Sequence, residues 1–350
     1  MRAPHNVISF IGGARTGPPH VYSGGSSGSI VEMSPDSTRT VMPYGERLWG
    51  NNTMWFGAFH GGTWNVRKSP QGDIYFTTGS GIAKIVDGGQ PELILRFPLR
   101  VGTLTINAPG TVDVNSRGDM LYTASTSAGD SRIFLHPSGA AEPKELLTYS
   151  ATVATATTLD NRIASGYDSF AFNDEGHVLI SLRFRNVNIP ILYMHDGTRW
   201  KELAVPNLTR VGPHLLNGIA NLHRAGGGKL YAGLNIPNGT ILCEWIADRW
   251  EIVVNNSTVM PSGQVATTVI TQESNRNGDL LFQHSNGGNN FLIVRRGDKL
   301  HQVVNLFRPT AEGDYLARIN SIDFRDDGTV YFLAGTVDDD LVLYEARPLF

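Results

Sequence analysis

The chain is 350 residues long and has a single cysteine, Cys243. One thiol closes no intramolecular disulfide and forms neither a CxxC zinc site nor a redox pair. It stands in the apolar run Ile241-Leu242-Cys243 and reads as a buried, inert side chain. Charge is also scarce, at 17% of residues, and the formal net charge is −3 with histidine neutral. A sequence-independent grip on nucleic acid needs a basic footprint, and here Arg183 and Arg185 do not continue into a stripe. No apolar run approaches the length of a membrane span, and no basic amphipathic helix offers itself to a membrane surface. The start of the chain, Met1 to His5, lacks the apolar core of a signal peptide. Neither nucleic acid nor membrane insertion is therefore expected.

Familiar catalytic signatures are missing too. There is no P-loop, HExxH or dinucleotide fingerprint. Gly24-Gly25-Ser26-Ser27-Gly28 matches GxSxG but lies in a Gly/Ser turn, without the strand-to-helix setting that pattern requires. Helical periodicity is absent as well; Ala151 to Thr158, rich in Thr and Val, reads as a loop or edge strand.

What is abundant is glycine, with 39 copies, beside 41% hydrophobic residues. The glycines punctuate a repeat: an alternating strand, a polar turn ending in Gly, and a second alternating strand. Copies run Trp64–Gly79, Thr111–Ser125, Ser169–Leu182, Ile219–Leu234, Thr271–Ser285 and Ser321–Gly335. Their turn glycines, Gly72, Gly118, Gly176, Gly228, Gly278 and Gly328, are 46, 58, 52, 50 and 50 residues apart. That spacing is close to the period of a propeller blade. A third strand follows each copy (Ile191-Leu192-Tyr193 in one, Phe291-Leu292-Ile293 in another), then a short turn and, in most copies, a fourth strand such as Trp200–Leu203 or Leu300–Val304. Four strands joined by hairpins make one antiparallel blade.

The expected fold is therefore all-β: a β-propeller of four-stranded antiparallel blades in one domain over residues 1–350. A weaker N-terminal copy, with strands near Val7–Ile11, His20–Ser23, Ser29–Met33 and Arg39–Met42, brings the count to seven. The blades fall at about 7–63, 64–110, 111–168, 169–218, 219–268, 269–320 and 321–350. The alternative is six blades, with the N-terminal strands completing the last one.

The pattern Asn-Asp-x-Gly-x-Val, followed by an Ile-Leu-Tyr strand and Asp-Gly, resembles tandem propeller repeats of bacterial surface or secreted proteins. Asn173, Asp174, Gly176, His195, Asp196 and Gly197 carry this likeness, which extends over Trp64 to Phe350. It implies architecture and an extracellular or cell-surface setting but no catalytic residue; one cysteine fits a cytoplasmic alternative equally. Arg224-Ala225-Gly226-Gly227-Gly228 departs from the usual turn. A looser likeness is to lactonase and streptogramin-lyase propellers, whose metal sits at the centre of one face. Asn217-Gly218-Ile219 and Asn320-Ser321-Ile322-Asp323 are similar to the strand entries of that group, without its full acidic set.

Two constellations stand out. Glu273, Asn275, Asn277 and Asp279 resemble an oxygen-ligand loop for Ca²⁺. They fall on the recurring turn, which itself demands Asn, Asp and Gly, so the reading without a cofactor is preferred. The second is the set of residues entering the innermost strands: His60, Trp64, Asn107, Tyr167, His214, Asn217, Arg318 and Asn320. Gathered at a propeller axis, they form a rim able to bind a carbohydrate or a protein. The expected function is a non-catalytic binding or scaffold module. The alternative is a metal-assisted lyase or hydrolase acting on a sugar or lactone at the same rim, with His60 and His214 converging.

Overall fold

A computed structural model describes residues 8–14, 21–22, 29–34, 37–42, 47–48, 54–55, 66–69, 73–78, 81–86, 92–286, 289–306, 309, 315–337 and 341–347. The protein is all-β, and its one helical turn among the described residues is the 3₁₀ turn Gly226–Gly228. It divides into two compact units, Met1–Thr157 and Thr158–Phe350.

Among its described residues the first unit carries three larger sheets and a two-stranded ribbon of Arg47–Leu48 with Met54–Trp55. In the first, the strands Ile8–Ala14, Val21–Tyr22, Ser29–Ser34 and Ser37–Met42 lie where alternation places them, but their order is not a simple meander. Ile8–Ala14 pairs with both Val21–Tyr22 and Ser29–Ser34. The second sheet is a meander of Val66–Lys68, Ile74–Thr78, Gly81–Ile85 and Glu92–Arg96. The third is the meander Leu104–Val114, Met120–Thr126, Ser131–His136 and Lys144–Tyr149, with Leu99–Val101 added outside its first strand.

The second unit carries four sheets of the same plan. The fourth comprises Arg162–Phe172, Val178–Phe184, Val187–His195 and Trp200–Ala204, with Thr158–Leu159 on its first edge. The fifth runs Gly218–Arg224, Leu230–Ile236, Gly239–Ile246 and Arg249–Val254. The sixth runs Thr268–Ser274, Leu280–Asn286, Asn289–Arg296 and Lys299–Asn305. The seventh shows three strands among the described residues: Leu316–Phe324, Val330–Thr336 and Leu341–Ala346.

One turn recurs between first and second strands. In it Gly118, Gly176, Gly278 and Gly328 take φ of 81°, 84°, 81° and 89°, a region that side chains resist. The Gly N–H donates to the carbonyl three residues back, at 3.2, 3.1, 3.2 and 3.0 Å respectively. In the second unit these turns also join sheet to sheet. Asn173 Nδ2 donates to the Gly228 carbonyl (2.8 Å), and Ser274 Oγ to the Arg224 carbonyl (2.9 Å). Asn275 Nδ2 donates to the Arg325 carbonyl (3.1 Å), and Asn277 Nδ2 to the Asp326 carbonyl (2.7 Å).

The cores lie between successive sheets. Leu179, Leu192 and Met194 of the fourth sheet meet Leu230, Ala232 and Leu234 of the fifth. Tyr231 and Leu242, on the opposite face of the fifth, meet Leu280, Phe282 and Ile293 of the sixth. Leu281, Leu292 and Val294 of the sixth meet Phe324, Val330 and Phe332 of the seventh. In the first unit, Tyr75 and Ile82 of the second sheet pack with Val112, Tyr122 and Phe134 of the third. Period-two alternation thus buries both faces of an inner sheet, because each face has a neighbouring sheet to cover it. Cys243 lies in one of these cores, where burial pushes its thiol up to about 12.

Candidate functional site

The first strands of the third to seventh sheets are bulged, as are the pairings of the last strands in the first to sixth. Register shifts leave Asn107 and the pair Gly110–Thr111 without direct partners in the third sheet, and Ser165 and Asp168 in the fourth. Ala220 is skipped in the fifth and Gln272 in the sixth. In the seventh, Ala317 and Asn320 are skipped. Counted back from the hairpin glycine, Gly110, Asp168, Ala220 and Asn320 share one position, eight residues upstream. A bulge takes one side chain out of the ladder and re-aims it, which is why bulges accumulate beside binding and catalytic sites.

Two residues singled out from sequence, Asn107 and Asn320, are themselves bulge residues. Arg318 directly follows a third, and Tyr167 directly precedes a fourth. Asn107 is exposed on the first unit. On the second, the first strands of the fourth to seventh sheets are successive neighbours. Their best-defined polar feature is an ion pair at the bulge. Skipped from the ladder, Asp168 turns back to Arg183, whose Nε and Nη2 both donate to Asp168 Oδ1 at 2.5 Å. The guanidinium side chain is 63% exposed and the carboxylate side chain 32%. Beside it Tyr167 leans on Phe170, ring centroids 5.6 Å apart.

His214 and Asn217 lie in the connection entering the fifth sheet. His214 sits on a two-stranded ribbon, paired with Val211. Asn217 is exposed, and its N–H donates to the Asn235 carbonyl at 2.9 Å. His60 and Trp64 lie outside the described residues, and Arg318 and Asn320 are described by their backbone alone. Sequence reading passed over Arg183 because nothing linear ties it to Asp168; the bulge register makes that pair.

The calcium-like residues are engaged with protein atoms. Asn275 Nδ2 donates to Asp279 Oδ2 at 2.9 Å, and its Oδ1 accepts from the Asp279 N–H at 3.0 Å. Arg296 Nε reaches Asp279 Oδ2 at 3.1 Å. Glu273 Oε2 accepts from the Phe324 N–H at 2.9 Å, and Asn277 caps the turn of the seventh sheet. Among the described residues, no three His, Cys, Asp or Glu side chains gather as a metal cage. Nor is any helix long and apolar enough to cross a membrane.

No protein-family model matches the chain, and no curated protein matches it. Solved structures do. A puromycin hydrolase S511A mutant complexed with PGG aligns at TM-score 0.53 and 12% identity, over 91% of this chain and 48% of that one. The extracellular domain of a hybrid two-component system, BT3049 of B. thetaiotaomicron, gives TM-score 0.47 and 12% identity over 99% and 40%. A gluconolactonase of Xanthomonas campestris gives 0.36 and 13% over 73% and 76%. The chain thus spans about half the length of the hydrolase, or less for the sensor protein. The structural neighbours are propeller proteins, and at these identities they speak for the fold alone.

Proposed function

We propose that the chain is a seven-bladed propeller acting as a non-catalytic binding module in an extracellular or cell-surface setting, with its ligand held on the wall formed by the bulged first strands of the fourth to seventh sheets. The observation that carries this reading is the recurrence of a first-strand bulge at one position in four sheets, the third, fourth, fifth and seventh. The repeat holds hydrophobic and turn residues nearly constant while the bulge residue varies between Gly110, Asp168, Ala220 and Asn320. Variation at the re-aimed position of a regular scaffold is how a repeat fold builds a specific surface. The exposed Asp168–Arg183 pair supplies acceptor and donor groups there, and Tyr167 supplies an aromatic neighbour. His214, Asn217, Arg318 and Asn320 complete the proposed rim of the second unit, and His60, Trp64 and Asn107 are proposed as ligand contacts of the first. The ligand class that suits it is a carbohydrate or a protein loop.

A metal and turnover analysis of the purified full chain separates binding from catalysis. The binding reading expects no stoichiometric divalent ion and no turnover of lactones or polysaccharides. A stoichiometric ion that is lost in a His60→Ala/His214→Ala double variant, together with turnover, would overturn it in favour of a metal-assisted lyase or hydrolase.

A further inference from the structure

A second polar cleft lies on the fourth sheet, away from the bulged wall. It has a volume of about 630 Å³ and opens between the start of the sheet's first strand and its last strand, Trp200–Ala204. One wall is a locked network. Arg162 Nη2 donates to the Tyr193 hydroxyl at 2.7 Å and to Glu202 Oε2, and its guanidinium lies over the Phe184 ring. The Tyr193 hydroxyl in turn donates to Asp160 Oδ2 at 2.8 Å. This wall is fixed before any ligand arrives.

The opposite side is different. Arg199 is 80% exposed, and its Nε stands 3.6 Å from the Asp196 carboxylate. Asp196 Oδ1 is already committed to Thr198 and to the backbone N–H of Arg199. Lys201 rests over the Trp245 ring and touches Asp248 at 2.9 Å, both side chains being well exposed. Exposed pairs of this kind contribute little and exchange readily with a ligand anion. The rest of the lining is Trp200, Val205 and Leu208, the last 78% exposed.

We propose that this cleft is a saccharide site and that it takes a sugar carrying a carboxylate. The apolar floor suits the C–H face of a pyranose ring. Arg199 and Lys201 suit its carboxylate, since a guanidinium and an ammonium both form charge-assisted bonds with one. Asp160 and Glu202 keep acceptor capacity for hydroxyl groups. The same two carboxylates disfavour densely charged anions such as nucleic acid. The volume suits one or two sugar rings, whereas an extended acidic peptide would run along the strand edge.

Calorimetric titration of the full chain tests this, with trigalacturonate as probe, maltotriose as neutral control and hexaglutamate as acidic-peptide control. Saturable binding of trigalacturonate is expected, weakened by high salt and reduced about tenfold or more in an Arg199→Ala/Lys201→Ala double variant. Arg199 is 80% exposed and Lys201 40%, and a melting curve checks that the variant is folded. Absence of saturable heat, equal binding of maltotriose, or unchanged affinity in the double variant would overturn the proposal. Hexaglutamate binding as tightly as trigalacturonate would replace the sugar with a peptide. The cleft uses none of the bulge or rim residues of the wall, so either site can fail alone.

Discussion

His284 is wholly buried, stacked on Phe291 with ring centroids 5.5 Å apart, and its ring nitrogens make no well-formed hydrogen bond. Burial lowers its pKa below the ordinary histidine value, offset in part by the nearby Thr268 backbone. The folded state therefore prefers the neutral ring. Its contribution to stability is complete above the unfolded value, about 6.5, and declines as pH falls below it. Urea titrations at pH 7.5 and 5.5 should show lower stability at the acid pH, with the difference reduced in His284→Phe. Asp119 and Asp130 act lower on the scale. Burial alone would raise both carboxyls, but hydrogen bonds from Ser138, Asn115 and Arg117 to the first, and from Arg132, Thr126 and Thr155 to the second, lower them. Their stabilisation is present above about pH 4 and is lost below it. Gly226 makes a steric prediction. A Cβ there would stand 2.4 Å from the carbonyl oxygens of Asn275 and Arg276, so Gly226→Ala should destabilise by about 1–3 kcal/mol in the same titration. An unchanged midpoint would mean that the fifth- and sixth-sheet turns do not approach as described.

Among elements, the hairpin turn and the first strand differ in how openly the sequence displays them. The turn needs a positive φ at Gly118, Gly176, Gly278 and Gly328, and only glycine meets that need cheaply, so it repeats visibly. Strands two to four were legible from alternation, apart from Lys144–Tyr149, whose polar ends blur its pattern. The bulges were not legible. They are properties of pairing register, and the residues they leave out (Asn, Asp, Ala, Gln) share no chemistry. For the same reason the first strands Leu104–Val114, Arg162–Phe172 and Leu316–Phe324 begin upstream of where alternation becomes clear. The order of the first sheet was also hidden, because a two-residue strand carries no pattern. The pairing of Asp168 with Arg183 was not legible either, because it too arises from the register. The turn ladder supports a direct test. Asn275 is buried and bridges two sheets, while Asn277 is exposed. Asn275→Ala should cost about 1–3 kcal/mol by leaving buried groups unpaired, and Asn277→Ala distinctly less. Equal effects would contradict the bridging role.

At the scale of the whole molecule, stability resides between sheets and not within them. Leu281, Leu292 and Val294 are covered by Phe324, Val330 and Phe332, so the sixth sheet depends on the seventh for one of its faces. Deleting residues 316–350 should leave a chain that aggregates or melts without a sharp transition, whereas a cooperative melt would show the sheets to be independent. A scaffold of this kind is free to vary where a side chain is taken out of the strand ladder, and the bulge positions of the first strands are such places. Binding to a glycan array by the Arg199→Ala/Lys201→Ala chain, which disables the separate cleft, isolates that wall. Further substitution by Asp168→Ala and Arg183→Ala is predicted to abolish the remaining binding while the melting temperature stays within a few degrees of its parent. Binding that survives those two substitutions undiminished in a folded chain would contradict the assignment of function to the bulged wall.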